Sequence, residues 1–70
     1  MTSERILVVE DEPVVALDLR HTLQEMGHEV VSIRTSFKSA IDAVEEFNPS
    51  LVFMDIHLQG AGDGIELLRA

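Results

Sequence analysis

Two uninterrupted apolar runs frame the chain, Ile6-Leu7-Val8-Val9 and Leu51-Val52-Phe53-Met54. Neither alternates with polar residues, which is the pattern of strands covered on both faces in a parallel sheet packed between helices. Between them, apolar positions recur twice at helical spacing. Pro13 suits a first helical position, where the missing N–H has no partner to lose. From there Val15, Ala16, Leu19, Leu23 and Met26 share one face, Asp18, Arg20, Gln24 and Glu25 point elsewhere, and Gly27 supplies a left-handed stop. Val14 and Leu17 fall outside that stripe and are expected to be singly exposed.

Residues His28 to Arg34 mix Val30, Val31 and Ile33 with Glu29 and Ser32, which predicts a half-exposed edge strand. Thr35-Ser36 offers a cap for a second helix, with Phe37, Ala40, Ile41, Val44 and Phe47 on its apolar side and Asn48-Pro49 as its end. Both Phe37 and Phe47 are expected in the core. After Asp55 comes a loop containing Gly60, Gly62 and Gly64, and then Ile65, Leu67 and Leu68 predict the start of a third helix, with Asp63 and Glu66 as a capping pair. The order is strand, helix, strand, helix, strand, partial helix: a parallel α/β unit with right-handed crossovers, and residues 1–70 are expected to be an incomplete part of one small domain.

Both apolar runs end in acid. Glu10, Asp11 and Glu12 follow the first, and Asp55 follows the second. In open α/β sheets ligands bind beyond the carboxyl ends of the strands, so neighbouring parallel strands would bring these carboxylates together in a site. Their mutual repulsion is relieved by protonation, by a basic partner or by a hard cation, and an all-oxygen donor set favours magnesium over zinc. Magnesium at one or two carboxylates reaches for phosphate oxygens, and a remaining Asp can accept a phosphoryl group. Spacing and composition leave a solvated acidic rim as an equal reading.

Composition narrows the classes. The formal charge of −8, with only five basic residues, argues against nucleic acid and anionic membranes as direct partners. There is no cysteine to supply a disulfide or thiolate site. No apolar run approaches the ~20 residues of a membrane helix, so a cytoplasmic protein is expected. A phosphohydrolase nucleophile pattern of Asp-x-Asp fails at Pro13, and the glycines at 60, 62 and 64 lack the next glycine of a dinucleotide fingerprint, because Ile65 stands there.

Ile6-Leu7-Val8-Val9-Glu10-Asp11-Glu12-Pro13, Leu51-Val52-Phe53-Met54-Asp55-Ile56 and Asp63-Gly64-Ile65-Glu66-Leu67-Leu68 together resemble the receiver domain of two-component response regulators. The resemblance implies a flavodoxin-like doubly wound sheet of order 2-1-3-4-5, of which this chain would supply 2-1-3 and stop after the start of the third helix. It implies a phosphorelay function rather than an enzyme. Asp55 would accept a phosphoryl group from a sensor histidine kinase or phosphotransfer protein. Asp11 would bind Mg2+ directly, Glu10 through a metal-bound water, and the metal shell would be shared by Asp55 and the main-chain carbonyl of His57. The His57 side chain reads as an exposed loop residue, positioned to influence access of water to the phosphate. Compared with the family, Leu58-Gln59-Gly60 replaces a common Met-Pro, and Asp63 comes eight residues after Asp55 rather than seven.

The family's switch Ser or Thr and phosphate-binding Lys would fall beyond Ala70. Phosphate acceptance by the chain alone is therefore expected to be poor. A sheet ending at the second apolar run is also expected to self-associate or to need a C-terminal half in trans. The alternative function is a receiver-like module that docks to a kinase or another receiver without being phosphorylated.

Overall fold

The computed structural model describes residues 3–55 and, as backbone only, 65–69. Its elements are β1 (Arg5–Glu10), α1 (Pro13–Glu25), β2 (Glu29–Arg34), α2 (Phe37–Phe47), β3 (Leu51–Asp55) and β4 (Ile65–Arg69). The sheet runs β2-β1-β3-β4, with β1 parallel to both β2 and β3. The expected order 2-1-3 is therefore observed. β1 is the central strand, and Ile6 to Glu10 are all buried.

Alternation along β1 and β3 sorts the core into two layers. On one face Ile6, Val8, Leu51 and Phe53 pack with Leu19 and Leu23 of α1. On the other, Leu7, Val9, Val52 and Met54 pack with Ala40, Ala43 and Phe47 of α2. Helices on both faces make the unit doubly wound. In β2 the apolar pattern does not alternate, and the register explains why: Ile6 pairs with Val30 but Leu7 pairs with Ser32. Val31 is thus the extra residue of a bulge, and Val30 and Ile33 both reach the α1 layer while Val31 joins the α2 layer.

Local chemistry sets the helix ends. Gly27, at φ 94°, lets its own N–H bond Gln24 O at 3.0 Å and the His28 N–H bond Leu23 O at 3.1 Å, the paired closure of a Schellman cap on α1. Ser36 caps α2 by accepting from the Ser39 N–H at 3.1 Å, and Asn48, left-handed at φ 49°, ends it. Arg5 then ties this end of α2 to the sheet: its guanidinium donates to Asn48 O at 2.8 Å and Phe47 O at 2.7 Å. The main chains of Arg5 and Ser50 also bond, Ser50 N to Arg5 O at 2.8 Å, so β3 enters beside β1 in a fixed register. Two cationic contacts flank α2 from β2: Arg34 lies 5.9 Å from the Phe47 ring centre and 3.9 Å from Glu46.

Three expectations need correction. Residues 65–69 form β4, antiparallel to β3, rather than the start of a helix at Ile65, Leu67 and Leu68. Pairing along the edge of β3 gives the backbone groups of this segment partners. The edge of β3 expected to lie open is therefore taken by β4. The second correction concerns α2, where Phe37, Ile41 and Val44 are 55%, 49% and 37% exposed while Ala40 and Ala43 are buried. Close approach through the two alanines turns the helix so that only one margin of its wide apolar arc meets the sheet. The third is Met26, which is exposed because it lies past the last turn of α1, where the chain swings away at Gly27. Val14 and Leu17 are exposed as expected.

Candidate functional site at the acidic ends of the central strands

The register Ile6↔Leu51, Val8↔Phe53, Glu10↔Asp55 carries both apolar runs to a common end. Because side chains alternate along each strand, Glu10 follows Ile6 and Val8 onto the α1 side of the sheet, and Asp55 follows Leu51 and Phe53 onto the same side. The loop from β1 to α1 adds Asp11 and Glu12 at that rim. Carboxylate oxygens of Glu10, Asp11 and Glu12 lie within 4.8 Å of one another, with Glu10 buried and the other two exposed.

Glu10 is the unusual member. Its side chain is fully buried, at 0% exposure. Oε1 accepts the Glu12 main-chain N–H at 2.9 Å, while Oε2 is buried and takes no hydrogen bond. Burial pushes the Glu10 carboxyl up to about 7; the adjacent Asp11 and Asp55 carboxyls add to the rise, and the Glu12 N–H opposes it. Ionised carboxylates are acceptors only, so Asp11 and Asp55 cannot satisfy Glu10 Oε2 unless a proton or a cation lies between them. Leaving a charged, buried oxygen unpartnered is costly. The donor set therefore fits a hard divalent cation: all oxygen, several negative charges, and one buried acceptor awaiting a partner.

Of the site residues read from the sequence, Glu10, Asp11 and Asp55 are brought to one end of the sheet, and Asp55 is partly exposed there. His57 lies outside the described residues, as do Asp63 and the glycines before Ile65. Sequence reasoning missed the bond from the Glu12 main chain to Glu10. The signal available for it was Pro13, which constrains the residue before it.

The fold has known relatives. A family model described as the response regulator receiver domain matches residues 6–70. The chain is 36% identical over 65 residues to the phyllosphere-induced regulator PhyR of Methylorubrum extorquens, covering 91% of this chain and 24% of that protein. It is 36% identical over 62 residues to the transcriptional regulatory protein PdtaR of Mycobacterium tuberculosis, covering 89% of this chain and 30% of that one. Among solved structures, the response regulator PhyR from Brucella abortus superposes with a TM-score of 0.77 at 32% identity, over 89% of this chain and 26% of that one. The anti-anti-sigma factor PhyR from Bartonella quintana gives 0.81 at 30% identity, over 91% and 26%.

The chain belongs to the response regulator receiver domain family. It spans about a quarter of the length of the PhyR proteins it matches. Receiver domains are regulatory modules, in line with the expectation of a signalling domain rather than an enzyme.

Proposed function

We propose that this chain is the signal-receiving part of a response regulator, and that Asp55 accepts a phosphoryl group from a phosphohistidine on a sensor histidine kinase or phosphotransfer protein. The observation that carries the reading is the register pairing of Glu10 with Asp55 on the face that also begins α1. An Asp55 carboxylate oxygen attacks phosphorus, the phosphorus–nitrogen bond breaks, and its electron pair returns to the imidazole of the donor. The product is an acyl phosphate on Asp55. Mg2+ at this rim, held by Asp11 and Asp55, with Glu10 behind a water and the His57 carbonyl completing the set, would neutralise charge on the transferring oxygens. Glu10 and Asp11 keep the local field negative and oxygen-lined, so a cation is drawn to the side of the nucleophile.

A kinase-fed receiver belongs in the cytoplasm. No helix among the described residues is long and apolar enough to cross a membrane. The net charge of −8 leaves DNA contact, if the whole regulator makes it, to chain other than these residues. Similarity to a transcriptional regulatory protein and to an anti-anti-sigma factor supports passage of the received signal to a gene-regulatory output.

Intact mass spectrometry after incubation with a small acyl phosphodonor tests the assignment. The expected outcome is a minor, Mg2+-dependent population heavier by one phosphoryl group, absent from Asp55→Asn. Phosphorylation that persists in that variant, or that ignores Mg2+, would place the acceptor elsewhere. Complete absence of transfer from a cognate phosphohistidine donor that still binds the chain would favour the non-phosphorylated docking module.

A further inference from the structure

The loop between β1 and α1 contains a feature that neither helix capping nor charge explains. Glu12 occupies the N-cap position of α1, yet its side chain makes no capping bond. Ser, Thr, Asp and Asn are the residues that cap well, because a short side chain can reach the N–H groups of the first turn. As at any N-cap, Glu12 sits extended, at φ −103° and ψ 115°, with its carbonyl accepting the Ala16 N–H at 3.0 Å. Its own N–H points back to Glu10 Oε1 at 2.9 Å. The other oxygen of that carboxylate, Oε2, is the buried and unpartnered atom of the acidic site.

We propose that Pro13 is a positioning residue for the acidic site, holding Glu12 extended so that its main-chain N–H fixes Glu10. The inference rests on the magnesium reading above. Two properties of proline carry it. A proline disfavours the helical conformation in the residue before it, so Glu12 is kept from joining α1 and swinging its N–H away from Glu10. Proline also brings no N–H of its own, so no orphan donor of the first helical turn competes for Glu10 Oε1. With Oε1 anchored, the rotamer of Glu10 is set and Oε2 is presented to the rim. Groups that orient a metal site from behind in this way typically contribute about 10- to 100-fold in affinity.

Mg2+ titration of the full chain, followed by amide chemical shifts at one fixed pH, distinguishes these roles. Glu12→Gln keeps the N–H and should bind Mg2+ within about twofold of the unsubstituted chain. Pro13→Ala should bind about tenfold more weakly, and Glu12→Pro, which removes the donor, at least as weakly. Asp11→Asn serves as the control that removes a ligand. Amide exchange at Glu12 should be slow in the unsubstituted chain and fast in Pro13→Ala, a readout that does not depend on Glu12→Pro folding. A merely structural proline would lower the melting temperature in Pro13→Ala and leave Mg2+ affinity unchanged, which would overturn the proposal. So would a loss in Glu12→Gln as large as that in Asp11→Asn. If Asp11→Asn itself binds normally, the magnesium reading fails and takes this inference with it; if only Pro13→Ala and Glu12→Pro bind normally, this inference alone fails.

Discussion

Glu10 and Asp55 are register partners on adjacent parallel strands, one buried and the other partly open at the same rim. The pairing gives the two carboxylates unequal surroundings. Glu10 carries the desolvation cost, and Asp55 keeps access to solvent. Repulsion between them is part of what raises the Glu10 carboxyl to about 7.

That inequality predicts a pH dependence of stability in the absence of divalent cations. The folded-state value of Glu10 lies above its ordinary 4.5. Between these values the folded state holds a proton that the unfolded state has released, so stability is fullest below about 4.5 and falls as pH rises through about 7. The shift corresponds to roughly 3 kcal/mol. Urea unfolding at a series of pH values should show the decline, and Glu10→Gln should flatten it. A profile that rises over this window in the unsubstituted chain would contradict the burial argument.

Magnesium should act in the opposite sense. A cation binds the ionised site and competes with the proton on Glu10, so the Mg2+-induced rise in melting temperature should grow as pH rises through about 7. Asp11→Asn and Asp55→Asn should each remove most of that rise. Differential scanning calorimetry with and without MgCl2 measures it; an undiminished rise in both variants would mean that the cation sits somewhere else.

Arg5 secures the site from the far end of the sheet. Its two bonds to the carbonyls of Phe47 and Asn48 close the C-terminus of α2, and its main chain pairs with Ser50 at the entry to β3. Arg5→Ala should cost about 1–2 kcal/mol, since the side chain is half-exposed and the bonds are charge-assisted. Chemical denaturation reports the loss, and rescue by Lys should be partial because a single ammonium cannot span both carbonyls in the fork geometry.

The exposed margin of α2 predicts self-association. Phe37, Ile41 and Val44 form a contiguous apolar ridge that no described element covers. Analytical ultracentrifugation over a dilution series should show concentration-dependent assembly, weakened in a Phe37→Ser, Ile41→Ser double variant whose circular dichroism is unchanged. A compact monomer at all concentrations would show that the ridge is tolerated in water.

By itself the sequence determined the elements of residues 3–55. Uninterrupted apolar runs specify β1 and β3, Pro13 and Gly27 bracket α1, and Ser36 and Asn48 bracket α2, because these signals act over a few residues and need no distant partner. The acidic rim was legible for the same reason, each carboxylate being placed by the end of its own strand. Tertiary structure decided the rest. Which margin of α2 is buried depends on how closely Ala40 and Ala43 approach the sheet, and periodicity alone treats Phe37 as their equal. Whether Ile65 to Arg69 coil or extend depends on the open edge of β3, a partner some distance away in sequence. The burial of Glu10 arises only when β1 lies between β2 and β3 beneath α1. Desolvation is a property of everything packed around a group, and no local pattern of residues contains it.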